Sequence, residues 1–227
     1  IYEIRVDGTG LRQVSRGEQP DVDNYDPCYL ADDCILFASS ACFQAVPCNG
    51  SHVALLYRMD ADGSRVRQLS FDQDHSFNPV MMPNGRVLYL RWEYSDLPHA
   101  HSRMLFTMNP DGTNQRAYYG SNSYWPNSIF GARPIPLHAT KFVGIVNGHH
   151  GSQREGELVL FDVALGRNEA DGAVQRIPGW GKVVEPIIRD ELTVNSWPKY
   201  VHPYPLSDKY FLVSAKPAPH APWDIFL

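Results

Sequence analysis

The sequence predicts an all-β fold, a β-propeller of four-stranded antiparallel blades, on three observations. An Asp-Gly turn between two alternating segments recurs at Asp7, Asp62 and Asp111. A proline-containing hairpin lies between successive turns, and the two hairpins together make a unit of about 50 residues, the size of a propeller blade. No segment of useful length shows the 3.6-residue periodicity of an amphipathic helix.

The Asp-Gly hairpins are predicted to form the outer half of each blade. Glycine accepts the positive φ angle that a tight turn needs, so Asp-Gly between alternating strands is a strong hairpin signal. The three copies occupy residues 4–15, 58–70 and 107–117. We label the strands of a blade a to d from the axis outward, and these hairpins join strands c and d.

The proline-containing hairpins are predicted to supply strands a and b. Clear copies occupy 26–38, 78–90 and 197–213, and a looser copy combines Trp125-Pro126 with 141–146. About four and a half blades result, too few to close a ring, which predicts a truncated chain. The single partial domain covers 1–227, with blade pieces at about 2–15, 25–70, 77–119, 125–177 and 196–227.

The composition narrows the classes of partner. Hydrophobic residues make up 43% of the chain and charged residues 20%, as in a globular protein with a proper core. A net charge of −5 predicts no nucleic-acid partner. No apolar run approaches the roughly 18 residues of a membrane helix, so no membrane span is expected within this chain.

Four cysteines lie close together in the sequence, at 28, 34, 42 and 48. Cys42 and Cys48 flank a short loop that a disulfide could staple, and a disulfide would imply an oxidising compartment. Four reduced thiols are the alternative. The chain has no CxxCH motif, so no haem attachment site is expected in it.

The loops of a propeller divide between two rims. The b–c and d–a connections share one rim, and the Asp-Gly turns lie on the other. Seven of the nine histidines fall in the b–c and d–a loops, which makes that rim the predicted functional face. These histidines are His52, His75, His99, His101, His149, His150 and His220.

The candidate residues on this rim could each have a chemical role or a purely structural one. Asp74 and His75 could form an oriented general base, or a pair that only stabilises the loop. One of the adjacent His149 and His150 could face the channel as a ligand or catalytic group, while the other bonds backbone. A divalent metal is a further hypothesis, and its candidate ligands are His75, His99, His101, His149 and His150.

Arg91 and Glu93 lie on one face of a predicted strand. Charges inside a strand need partners because their desolvation is costly. A structural ion pair and a substrate clamp are both consistent with this spacing, so both residues are candidate site residues.

Longer motifs resemble known families. The Asp-Gly-Ser/Thr hairpins with a Gln-Leu-Ser ending resemble TolB-type propeller repeats, which are WD-repeat-like. Segments 20–34, 71–96, 105–151 and 157–217 are similar to the middle domain of the hydrazine synthase alpha subunit. The strings that carry this similarity include Phe-Asp-Gln-Asp-His at 71–75, Gly-His-His-Gly at 148–151 and Glu-Leu-Val-Leu-Phe-Asp at 157–162. The resemblance implies a periplasmic or extracellular location.

Three functions are consistent with these observations. The first is a binding module that contacts a protein partner, a small molecule or a glycan, or that scaffolds other domains of a larger protein. The second is a metal-dependent enzyme resembling a polysaccharide lyase or hydrolase, which the TolB-type resemblance suggests by analogy of fold. The third is a redox subunit whose haem is supplied outside this chain. No Gly-x-Ser-x-Gly nucleophile elbow supports serine hydrolase chemistry.

Overall fold

The structure is a computed structural model that describes residues 1–17, 19–94, 103–150, 154–179 and 189–227. Over these ranges the ordered elements are β-strands, and no α-helix is present. None of the described residues belongs to a helical segment able to span a lipid bilayer.

The strands form successive antiparallel sheets in chain order. A short first pair consists of β1 (Tyr2–Glu3) and β2 (Arg12–Gln13). The first four-stranded sheet contains β3 (Asn24–Tyr29), β4 (Ile35–Ser39), β5 (Leu55–Met59) and β6 (Arg67–Gln68). The second set contains β7 (Ser76–Met81), β8 (Val87–Trp92), β9 (Arg103–Met108) and β10 (Arg116–Tyr119).

The third set contains β11 (Ser128–Pro134), β12 (Lys141–Asn147), β13 (Glu157–Asp162) and β14 (Ala173–Ile177). A single parallel pair between Ser128 and Arg103 joins it to the second set. The last sheet contains β15 (Lys199–Pro205), β16 (Phe211–Lys216) and β17 (Asp224–Phe226).

The sheets radiate from a common centre because their first strands lie side by side. Strand β3 contacts β7, β7 contacts β11, and β11 contacts β15. This arrangement, with the strand order running outward in each sheet, confirms the predicted all-β propeller architecture. The count of about four and a half blades stays a prediction.

Aromatic side chains fill the space between neighbouring sheets. The Phe142 ring stacks on Phe161 with ring centroids 4.8 Å apart, and Tyr119 meets Phe161 edge-on at 4.9 Å. Strands such as β4 are buried on both faces, and for that reason they read as continuous apolar runs in the sequence.

The Asp-Gly turns are tight, as predicted. Asp62 Oδ1 accepts a hydrogen bond from the Ser64 amide at 2.8 Å, and Gly63 has a φ angle of 84°. A Cβ atom at Gly63 would lie 2.1 Å from the Val14 carbonyl oxygen. This turn therefore packs against the outer strand of the preceding hairpin, so its glycine serves both the turn and the contact.

The predicted disulfide between Cys42 and Cys48 is not formed in the structure, where all four cysteines are free thiols. Cys42 is partly buried against an apolar cluster, and its Sγ lies 3.3 Å from the Val53 carbonyl oxygen. Cys48 is exposed on the loop. The loop is instead closed by a backbone bridge between Ala45 and His52. The inference of an oxidising compartment loses this support.

Candidate functional site

The first strands of the four larger sheets share an irregularity that faces the centre. In each strand two residues lie opposite one residue of the neighbouring strand, which defines a β-bulge. The first bulge residue has a positive φ angle in every copy: 51° at Asp26, 52° at Asn78, 55° at Gly131 and 52° at His202.

The local sequence explains this backbone. Asparagine, aspartate and histidine tolerate the left-handed region better than other non-glycine residues, and glycine enters it freely. Proline lacks an N–H group, so it fits the second bulge position, where the ladder is interrupted. Pro27, Pro79 and Pro203 occupy that position, and Ala132 replaces proline in the third copy.

The looser third copy was aligned incorrectly from the sequence. The sequence pattern predicts Trp125-Pro126 as the proline of strand a, whereas in the structure this dipeptide precedes β11 and has a cis peptide bond. The bulge of β11 lies further on, at Gly131 and Ala132. Without a proline, this bulge has no clear sequence signal.

Hydrogen bonds between neighbouring bulges form part of a ring around the centre. Asp26 Oδ2 accepts from the backbone amide of Asn78 at 3.1 Å and from its Nδ2 at 2.7 Å. Asn78 Oδ1 in turn accepts from the Gly131 amide at 3.4 Å. One side chain thus connects three successive sheets.

We expect Asn78→Ala to lower the free energy of unfolding by about 1–2 kcal/mol more than Asn114→Ala does. Asn114 is a matched control because it is exposed and has a φ angle of 53°, so both variants place alanine in the left-handed region. The excess reports the lost hydrogen bonds to Asp26 and Gly131. Urea unfolding measures it, and equal losses would show that the ring contributes nothing to stability.

A cavity of about 510 Å³ lies among the first strands, and we call it the axial cavity. Its volume is typical of sites for small ligands. Apolar side chains and the bulge prolines form much of its wall. The polar lining comes from Asp26, Asn78, Arg133, Arg154, His202 and Tyr204.

A second group, the rim cluster, gathers around the Trp92 ring at the end of β8. The His75 ring stacks on the indole with centroids 5.9 Å apart, and the Arg103 guanidinium carbon lies 4.4 Å from the indole centroid. The centroid of the His149 ring lies 5.5 Å from that of Trp92, and the centroids of the His149 and His150 rings are 4.2 Å apart. The convergence of His75 with His149 and His150 at one end of the sheets agrees with the predicted rim.

The chemistry of His75 differs from that of a general base. Its Nδ1 accepts a hydrogen bond from the Ala54 amide at 3.1 Å, so the backbone fixes the tautomer and occupies the lone pair. Burial lowers the pKa of His75 to about 4, and the charges of Arg103 and Arg154 act in the same direction. The ring is therefore neutral near pH 7 and offers a donor, Nε2–H, instead of a base.

Asp74 is buried beside this cluster, and burial raises the pKa of its carboxyl group. Its Oδ1 atom has no hydrogen-bond partner within the described part of the chain. Arg103 is partly buried, and desolvation lowers the pKa of its guanidinium to about 10. The rim cluster thus contains charges held in a poorly hydrated environment.

The two adjacent histidines bond to different partners. His149 Nδ1 accepts from Arg103 Nη1 at 2.5 Å, and His150 Nδ1 lies 2.7 Å from a carboxylate oxygen of Asp190. Gly148 permits this arrangement, because a Cβ atom there would lie 2.3 Å from the Asp190 carbonyl oxygen. Both imidazoles are therefore engaged in contacts within the fold.

The part of the chain that the structure describes contains no assembled metal site. No group of three or more His, Cys, Asp or Glu side chains there is placed to hold a metal ion. His99 and His101 lie outside the described residues. Their predicted role as ligands stays a prediction.

Arg91 and Glu93 form an ion pair within the protein, the structural role that was one of their two predicted roles. Arg91 Nη1 lies 3.1 Å from Asp72 Oδ1, and Nη2 lies 3.5 Å from Glu93 Oε1. The same guanidinium lies over the Phe106 ring at 5.0 Å. These contacts support an ion-pair network within the sheet over a substrate clamp.

The rim cluster and the axial cavity meet at one arginine. The Arg154 guanidinium carbon lies 4.7 Å from the centroid of Phe77, whose ring contacts His75 edge-on at 5.7 Å. Arg154 also lines the axial cavity. We therefore treat the cavity and the cluster as one candidate site.

Sequence reasoning found the histidines of this site but missed its arginines and its central tryptophan. Trp92 lies in the same strand as Arg91, and no motif marks it as a site residue. Arg103 and Arg154 have no neighbouring motif that marks them. A usable signal did exist for the cavity, because Asp-Pro, Asn-Pro and His-Pro recur in three first strands.

Comparison with known proteins yields structural relatives only. No protein-family model and no curated protein matches the sequence. Hydrazine synthase from Kuenenia stuttgartiensis superimposes with a TM-score of 0.69 at 17% identity, over 99% of this chain and 33% of that one. The chain is a β-propeller similar to part of hydrazine synthase.

Other propeller structures match less closely. TolB from Acinetobacter baumannii gives a TM-score of 0.43 at 13% identity, over 85% of this chain and 40% of that one. An oligogalacturonate lyase in complex with manganese gives 0.48 at 10% identity, over 94% and 56%. The chain thus spans a third of the hydrazine synthase chain and less than two thirds of these two.

Proposed function

We propose that this chain is a ligand-binding propeller module of a larger extracytoplasmic protein, with the axial cavity and the rim cluster as its binding site. The observation that carries the proposal is the state of His75. Its lone pair is held by the Ala54 amide and its pKa lies near 4, so it offers hydrogen-bond donation instead of proton abstraction.

The remaining features of the site also favour binding over catalysis. His149 and His150 are held by Arg103 and Asp190, and the cavity combines an apolar wall with two arginines and a single carboxylate among its described lining residues. Hydrazine synthase and the lyase named above are enzymes, but similarity at 17% identity or below supports only a shared fold. The periplasmic or extracellular location and the contact with other domains of the same protein are part of this proposal.

The test is ligand-observed NMR on the purified protein with four probes: succinate, inorganic phosphate, glucose and spermidine. We expect at least one probe to bind saturably and to be recovered unchanged after prolonged incubation. Failure of all four to bind would overturn the proposal.

Elemental analysis and an absorption spectrum of the same sample test the two alternatives. A stoichiometric divalent metal together with consumption of an oligogalacturonate probe would favour the metal-dependent enzyme. A haem spectrum in the full-length protein would favour the redox subunit. A sample without either result supports the binding module.

A further inference from the structure

We propose that the axial cavity binds a small organic carboxylate through Arg133 and Arg154. This inference rests on the proposed function and specifies the chemical class of the ligand. It is carried by the charge balance of the cavity, by the positions of its arginines and by its apolar wall.

Two arginines that line the axial cavity differ from the five arginines of the protein that ion pairs hold in place. Neither Arg133 nor Arg154 forms an ion pair with a carboxylate of the described chain, although both line the same cavity. Arg154 is placed by its contact with the Phe77 ring at 4.7 Å. By contrast, ion pairs hold Arg12, Arg58, Arg65, Arg91 and Arg176.

The carboxylate of Asp26, which lines the cavity, already accepts hydrogen bonds within the protein. Among the described lining residues only Asp26 carries a carboxylate, and its Oδ2 accepts two hydrogen bonds from Asn78. Two guanidinium groups therefore face one carboxylate whose charge is partly compensated by the ring of bulges. The excess positive charge favours an anion.

The geometry of arginine and the wall of the cavity define the anion further. A guanidinium group recognises carboxylate or phosphate through parallel hydrogen bonds, so both anions share this chemistry. The apolar wall includes Phe130, Ile145 and Val201, which favour a ligand with a hydrocarbon portion. An organic carboxylate satisfies both requirements, whereas inorganic phosphate satisfies only the first.

The experiment is calorimetric titration of the wild-type protein and four variants with succinate, inorganic phosphate and glucose. We expect succinate to bind, and Arg133→Gln and Arg154→Gln each to weaken binding by about tenfold or more. Arg133→Lys should recover part of the affinity because it keeps the charge. Arg116→Gln is the matched control, since Arg116 is an exposed arginine of β10 outside the cavity lining.

The variants separate a folding defect from a binding defect. Because Arg154 packs on Phe77, its replacement could also destabilise the fold. A loss of affinity in Arg154→Gln therefore counts as a binding defect only if the variant melts close to the wild-type temperature. Arg133 is exposed, and its replacement tests the site with little risk to the fold. Equal affinity of Arg133→Gln and Arg116→Gln for succinate would overturn the proposal.

The other outcomes distinguish this inference from the function on which it rests. Binding of phosphate more tightly than succinate would overturn the organic carboxylate. Binding of glucose without succinate would overturn the anion site and leave the binding module standing. If none of the NMR probes binds, the proposed function fails together with this inference.

Discussion

Replacement of Phe142 by alanine is expected to lower the free energy of unfolding by about 3–5 kcal/mol, the range for a large aromatic side chain removed from a core. Phe142 is fully buried, and its ring stacks on Phe161 at 4.8 Å. The rings of Tyr118 and Tyr119 both lie 5.8 Å from it. Its removal leaves a cavity between sheets that the neighbouring strands cannot fill without shifting.

Urea unfolding monitored by circular dichroism measures this loss, with Phe71→Ala as the control. Phe71 is 74% exposed, so the same chemical change there should alter stability by less than about 0.5 kcal/mol. Phe142→Leu should fall between the two because it leaves a smaller cavity. Similar losses for Phe142→Ala and Phe71→Ala would contradict the assigned packing.

Acidification from pH 7 to pH 5 is expected to destabilise the wild type by about 2 kcal/mol more than it destabilises a His75→Asn variant. Burial lowers the pKa of His75 from 6.5 to about 4 in the folded state. The unfolded chain therefore takes up a proton near pH 6.5, whereas the folded chain takes it up only near pH 4. The contribution of the neutral ring is complete above pH 6.5 and is lost progressively as the pH falls towards 4.

The asparagine variant isolates this effect because its Oδ1 can still accept from the Ala54 amide but does not titrate. His75→Asn will itself be less stable at pH 7, since it loses the stacking contact with Trp92. The measured quantity is thus the difference between the two pH values for each protein, from urea unfolding curves. Parallel losses in the two proteins would show that the His75 pKa is not lowered by folding.

The fold could be predicted from the sequence because the residues that form its turns are adjacent in the chain. The Asp-Gly turn at Asp62 needs only two residues and a positive φ angle, and both can be read from the chain. The proline of a first strand is equally local, and Asn78-Pro79 was correctly placed in one. The prediction for the third copy is wrong because its bulge, at Gly131, lacks a proline. The position of such a bulge depends on pairing with β12, and no local sequence pattern indicates it.

The candidate site was only half predictable for a related reason. Loop positions follow from the repeat, so the spacing of the hairpins is enough to assign His75 and His149 to one rim. The state of His75 could not be predicted in this way, because it depends on the Ala54 amide, which is remote in sequence. Likewise the contact of Arg103 with His149 joins residues from different sets of strands, which meet only after folding.

The repeated bulges have a consequence for how the centre of this protein can change. The left-handed backbone at Asp26, Asn78, Gly131 and His202 is nearly the same, yet the side chains are an acid, an amide, a hydrogen atom and an imidazole. Backbone shape and chemical identity are thus separable at these four positions. Exchange among aspartate, asparagine, glycine and histidine is therefore compatible with the backbone of a bulge, and at Asp26 or Asn78 it also removes or replaces the side-chain hydrogen bonds that join neighbouring sheets.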